Sequence, residues 1–115
     1  MEEIVKDINL KEIYDNDEFW TKRYRFFKDG ICFEKMNIID YDIENKHLIV
    51  MDIFKNKPVE YEYDWLFNIM NIEIIENHKE YFLILEEEFF DSDYTIYKLD
   101  MDIEKINKLK LLITI

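Results

Sequence analysis

The sequence holds one glycine, one proline, one cysteine and one serine, and no alanine or glutamine. Each scarcity removes a class of chemistry. Phosphate-cradling loops need several glycines so that backbone N–H groups can approach the ligand, which excludes Walker and dinucleotide-binding sites. Cys32 cannot form an internal disulfide, and a lone thiol suits a reducing compartment. It follows a turn between Ile31 and Phe33 with no neighbouring His or Arg to activate it, so it reads as a buried, inert thiol. Ser92, the lone serine, stands between Asp91 and Asp93, whose charges oppose a developing oxyanion. Apolar runs such as residues 81–85 are far shorter than the roughly 20 residues of a membrane-spanning helix. The segment 1–7 has neither the basic start nor the apolar run of a secretory signal. The expectation is a soluble, cytoplasmic protein.

What is present is acid and aromatic side chain. The abundant Ile, Asn, Lys, Asp, Glu, Tyr and Phe share AT-rich codons, so much of the skew is nucleotide bias. That bias favours lysine too, so 27 acids against 15 bases run counter to it. The excess is local. Residues 58–104 contain fourteen acids and two bases, which accounts for the whole net charge of −12, while the rest of the chain is balanced. A chain of 115 residues with 49% apolar composition lies outside the low-hydrophobicity regime of disordered acidic proteins and suits one domain, 1–115.

The local signals are mainly those of strands. Asn9, with Glu12 three residues on, predicts a capped helix near 10–18 that shares Leu10, Ile13 and Tyr14 on one face. Asp29-Gly30 between 24–28 and 31–34 predicts a tight hairpin. A second hairpin is expected at 39–53 around Glu44-Asn45-Lys46, and Pro58 can only open a strand or lie on a sheet edge. Val59, Tyr61, Tyr63 and Trp65 alternate with Glu60, Glu62 and Asp64, which is the period of a half-buried strand. Residues 65–75 fit either period, with strand favoured for 69–75. A turn at 76–79 leads to an apolar strand at 81–86 placed centrally in the sheet. Tyr97, Leu99, Met101 and Ile103 then alternate with Lys98, Asp100, Asp102 and Glu104, and the chain closes on Leu109, Leu111, Ile113 and Ile115. The predicted fold class is mainly β with an α+β margin. It is an antiparallel meander of about eight strands, closed as a small barrel or strongly curved to hide its edges, with one short N-terminal helix. A two-layer sheet with the helix on one face is the second choice.

Few residues invite chemistry. His47 and His78 lack metal-ligand spacing and read as surface histidines. The pairs Asp15/Asp17, Asp40/Asp42, Asp91/Asp93 and Asp100/Asp102 offer oxygen ligands, but none continues into a calcium loop. No cofactor or metal is expected, and no enzymatic activity. The short basic cluster Lys22, Arg23, Arg25 and Lys28 belongs to a chain whose net charge repels nucleic acid. The acids remain. Acids at every second residue of two adjacent strands place a charge about every 3.3 Å of projected length, close to the roughly 3.4 Å axial spacing of phosphates along one DNA strand. The expected function is therefore a non-enzymatic inhibitor or sequestering factor, of the anti-defence, antitoxin or immunity kind. Its acidic sheet face would dock on a basic, nucleic-acid-handling protein. The partner-binding residues expected are Glu60, Glu62, Asp64, Glu86, Glu87, Glu88, Asp91, Asp93, Asp100, Asp102 and Glu104, with Phe89, Phe90 and Tyr94 as aromatic anchors. A small-ligand-binding barrel with an aromatic-lined cavity is the alternative.

Overall fold

A computed structural model describes residues 9–16, 18, 25–28, 30–42, 44–45, 47–52, 56–62, 71–86 and 94–113. Its spine is a twelve-residue strand, β2 (Ile31–Asp42), whose two edges are both occupied. β1 (Arg25–Lys28) pairs antiparallel with the first part of β2, with Lys28 opposite Ile31. Gly30 supplies φ 78 at that hairpin, a left-handed angle that costs a glycine little. On the same edge, the last part of β2 pairs with β3 (His47–Asp52), which in turn pairs with β4 (Lys57–Glu62). The ladder skips Ile39 between the pairs Ile38–Val50 and Asp40–Ile49. A bulge of this kind bends the strand.

The other edge of β2 carries the departure from expectation. β7 (Tyr94–Leu99) lies beside it in parallel, with Ile31 opposite Tyr94 and Phe33 opposite Ile96. β6 (Glu80–Glu86) pairs antiparallel with β7, and β5 (Asn71–Asn77) with β6. The order across the sheet is β4-β3-β2-β7-β6-β5, with β1 beside β2 off that path. Two antiparallel meanders are thus joined by one parallel seam, so the sheet is mixed and not antiparallel throughout. The path ends at β4 and β5 without closing on itself, and seven strands, not eight, occur among the described residues. The expected barrel is therefore incorrect.

The physical reason lies on the sheet's faces. β6 is buried on both, with Phe82 and Ile84 turned one way and Leu83 and Leu85 the other. A short helix, α1 (Leu10–Asp15), covers the first face through Leu10 and Tyr14, against Ile31, Phe33, Phe82, Ile84 and Ile96. Asn9 caps it as expected, its side chain accepting from the Glu12 N–H at 2.9 Å, although the helix stops at Asn16 short of the expected end. A second helix, α2 (Ile103–Ile113), covers the other face with Ile106 and Leu109 against Ile38, Leu48, Val50, Leu83, Leu85 and Leu99. With a helix on each face the apolar layers are covered without closure.

α2 replaces the strand expected through Glu104 and the apolar alternation to the C-terminus. Ile106, Leu109, Leu112 and Ile113 recur at helical spacing on the core side, while Leu111 is exposed. The Ile106 N–H bonds the Asp102 carbonyl at 3.0 Å, and Glu104 in the first turn and Lys110 in the last complement the helix dipole. Pro58 lies on β4, an outermost strand, as expected.

Candidate acidic interface

Strand direction decides where the acids go. β2 and β7 run the same way, so Asp42 and Leu99 finish toward one end of the sheet. The β5–β6 turn at His78-Lys79 faces that end too, because Tyr81 pairs with Leu99. β3 starts there at His47, opposite both Asp42 and Glu62. This end therefore gathers Asp40, Asp42, Glu60, Glu76 and Glu80 from the strand ends, Glu44 from the β2–β3 turn, and Asp100 and Asp102 from the segment after β7. They share an end of the sheet and not a face. β4, with Glu60, and β5, with Glu76, are the outermost strands, five strand spacings or about 24 Å apart.

Of the residues expected to bind a partner, Glu60 is exposed on β4, and Glu62 ends that strand in register with His47. Asp100 and Asp102 are exposed, and because β7 stops at Leu99 they belong to the connection into α2; Glu104 is exposed in that helix's first turn. Their expected alternation with a strand core is thus corrected. Glu86 and Tyr94 are half-buried partners at the opposite end of the sheet, and Tyr94 packs against the apolar cluster beneath α1. Asp64, Glu87, Glu88, Phe89, Phe90, Asp91 and Asp93 lie outside the described residues, as do Asp17, Tyr63 and Trp65.

Several of the gathered acids have cationic neighbours. Glu80 lies 3.8 Å from Lys11 of α1 and 3.8 Å from Lys98 of β7. Lys105 of α2 reaches Asp40 at 3.0 Å, and His47 Nδ1 is 2.9 Å from Glu60 Oε2. Asp42 accepts from the Asn45 side chain at 2.7 Å and from its backbone N–H at 3.2 Å. Glu44, Glu76, Asp100 and Asp102 are exposed and make no ion pair among the described residues. The Tyr41 N–H, and after it Lys105, hold the Asp40 carboxyl below the usual carboxylate range. The Asn45 hydrogen bonds do the same for Asp42. This is the opposite of the upward shift that crowded acids cause, since each carboxylate is met by donors.

Behind the acids, α1 is tied to the sheet by polar contacts. The Leu10 N–H donates to the buried Asn77 Oδ1 at 3.0 Å. The Tyr14 hydroxyl donates to the Lys35 carbonyl at 2.5 Å and also meets Asn37 Oδ1. Lys98 Nζ lies 5.3 Å from the centre of the Tyr14 ring. Burial pushes the Tyr14 hydroxyl pKa well up, with Asp100, Asp15 and Glu34 adding to the shift. The lysine contacts escaped the sequence reading because they join residues far apart in the chain. Glu34 is fully buried, with Cys32 Sγ 3.8 Å from its Oε1. Cys32 is buried as expected.

The other site chemistries gain little. Among the described residues no group of three His, Cys, Asp or Glu is placed to hold a metal ion. Tyr81 and Tyr97 pack against the cluster under α2, and the open sheet encloses no barrel interior in which the expected aromatic-lined cavity could lie. No described helix is long and apolar enough to cross a membrane. Compared with known proteins, the chain matches no family model, no curated protein and no solved structure.

Proposed function

We propose that this protein is a non-enzymatic acidic binding protein, an inhibitor or sequestering factor that docks on a basic protein whose own ligand is nucleic acid. The observation that carries this reading is the charge distribution: residues 58–104 hold the whole net charge of −12. The chain's topology supports it by bringing Glu44, Glu76, Asp100 and Asp102 toward one end of the sheet without ion-pair partners among the described residues. The docking surface is thus an end of the sheet in place of the flat face expected from alternation. Glu44, Asp100 and Asp102 lie on turns and connections and Glu76 lies next to the last residue of β5, all exposed to a cationic surface. Complementary potentials steer encounter and fix orientation, and they weaken as salt screens them.

The test is affinity capture from the native cell at low ionic strength, followed by a salt wash series with and without duplex DNA. Captured proteins should be basic, elute with salt and be displaced by DNA. Reversing Glu44, Glu76, Asp100 and Asp102 to Lys should abolish capture while leaving the melting temperature within a few degrees. Capture that ignores both DNA and the four reversals would refute the proposal.

A further inference from the structure

The two outermost strands of the sheet are finished differently. β4 opens with Lys57 and Pro58, both exposed, and Pro58 has no N–H to offer a further strand. β5 runs seven residues, Asn71–Asn77, with neither proline nor lysine, and no strand among the described residues pairs with its outer edge. Alternate residues of such a strand turn N–H and C=O toward the open side. Across its two faces the strand carries a mixed pattern. Glu73 and Ile75 lie opposite Ile84 and Phe82, on the side covered by α1, while Ile72, Ile74 and Glu76 lie on the side of α2. Glu73 is half-buried, and its buried Oε1 has no hydrogen-bond partner among the described residues. A buried carboxylate oxygen without a donor is costly, and a cation beside it relieves that cost.

Resting on the acidic-binding reading above, we infer that the outer edge of β5 is a strand-addition site for an extended, lysine- or arginine-bearing segment of the basic partner. The added strand supplies main-chain hydrogen bonds along Asn71–Asn77. One cationic residue faces Glu73 on the α1 side, and an apolar residue meets Ile72 and Ile74 on the α2 side. Main-chain pairing gives affinity, and the Glu73 position selects for positive charge. Acidic segments are rejected by Glu73, Glu76 and the overall charge.

The experiment titrates a blocked peptide of about nine residues, alternating lysine and valine, into the full chain at low salt, with amide exchange followed along β5. Binding near about 50 μM is expected, with alternate amides of Asn71–Asn77 slowed about ten-fold or more. Glu73→Gln should weaken binding about five-fold, and a glutamate–valine peptide should not bind. The lysine–valine peptide with alternate backbone nitrogens methylated should also fail, since it keeps its charge and loses its donors. Three results overturn the inference: β5 amides already slow in the free monomer, protection that rises with protein concentration alone, or undiminished binding of the methylated peptide. The last leaves the acidic-binding reading standing and removes only the edge, whereas indifference to every cationic peptide counts against both.

Discussion

The two faces of the sheet are covered by unequal helices held in unequal ways. α2 has eleven residues and seats Ile106 and Leu109 in an apolar layer supplied by β2, β3, β6 and β7. α1 has six residues, too few to bury comparable area, and adds polar ties: Asn9 at its cap, Asn77 on its first N–H, Lys11 to Glu80, and the Tyr14 hydroxyl to β2. Isolated helices of either length are marginal in water, so each depends on its contacts with the sheet. α2 has polar ties as well, Lys105 to Asp40 at 3.0 Å and the Tyr41 hydroxyl donating to the Lys105 carbonyl at 3.1 Å, but both are exposed, whereas the Asn77 tie of α1 is buried.

Substitutions should separate the two modes. The largest effect is expected for Leu109→Ala, which empties a fully buried site and should cost about 3 kcal/mol in urea unfolding, with loss of helical circular dichroism. Asn77→Ala should follow at about 2 kcal/mol, because it strands the Leu10 N–H in a buried setting. If Asn77→Ala proves the costlier of the two, the contrast between area and polar ties is wrong.

Tyr14→Phe is expected to cost about 1 kcal/mol at neutral pH, and its stronger signature is in the pH profile. The folded-state pKa of Tyr14 is raised, so its contribution is fully present below the unfolded value near 10 and is lost as pH rises above it. Tyrosinate absorbance should therefore rise late, together with unfolding, and Tyr14→Phe should flatten the alkaline limb. An early, reversible tyrosinate signal for this residue in folded protein would contradict its burial.

The smallest effect concerns the acids at the end of β2. Asp40 and Asp42 have depressed folded pKa values, so their contribution is present above the unfolded carboxylate range and is lost as pH falls below about 4. Asp40→Asn should shift the acid midpoint only slightly, because the side chain is exposed and the Lys105 pair is screened by salt. Stability that climbs steadily from pH 7 to pH 5 would instead mean that repulsion among the acids dominates.

Much of the β architecture was legible locally. The Asp29-Gly30 hairpin, the central strand at 81–86 and the edge position of Pro58 each follow from a property of one residue or a period of two, which no distant contact needs to supply. The C-terminal helix is hard to read from the sequence because the alternation of 97–103 runs directly into 103, 106, 109, 112 and 113, which repeat at helical spacing. The acidic site was half legible: composition showed how much charge there is, but not where it goes. Lys11, Lys98 and Lys105 reach Glu80 and Asp40 only because remote segments meet.

By itself the sequence determined a strand-rich domain with its negative charge confined to one stretch, because side-chain period and composition are local quantities. Tertiary structure alone decided that β2 and β7 run side by side in parallel, that the sheet stays open between two helices, and that several of the described acids, from separate segments, meet at one end of it. Those outcomes depend on which distant strands pair and in which direction. That choice is made by burying both faces of β2, β7 and β6 at once, a condition that no single segment of the chain contains.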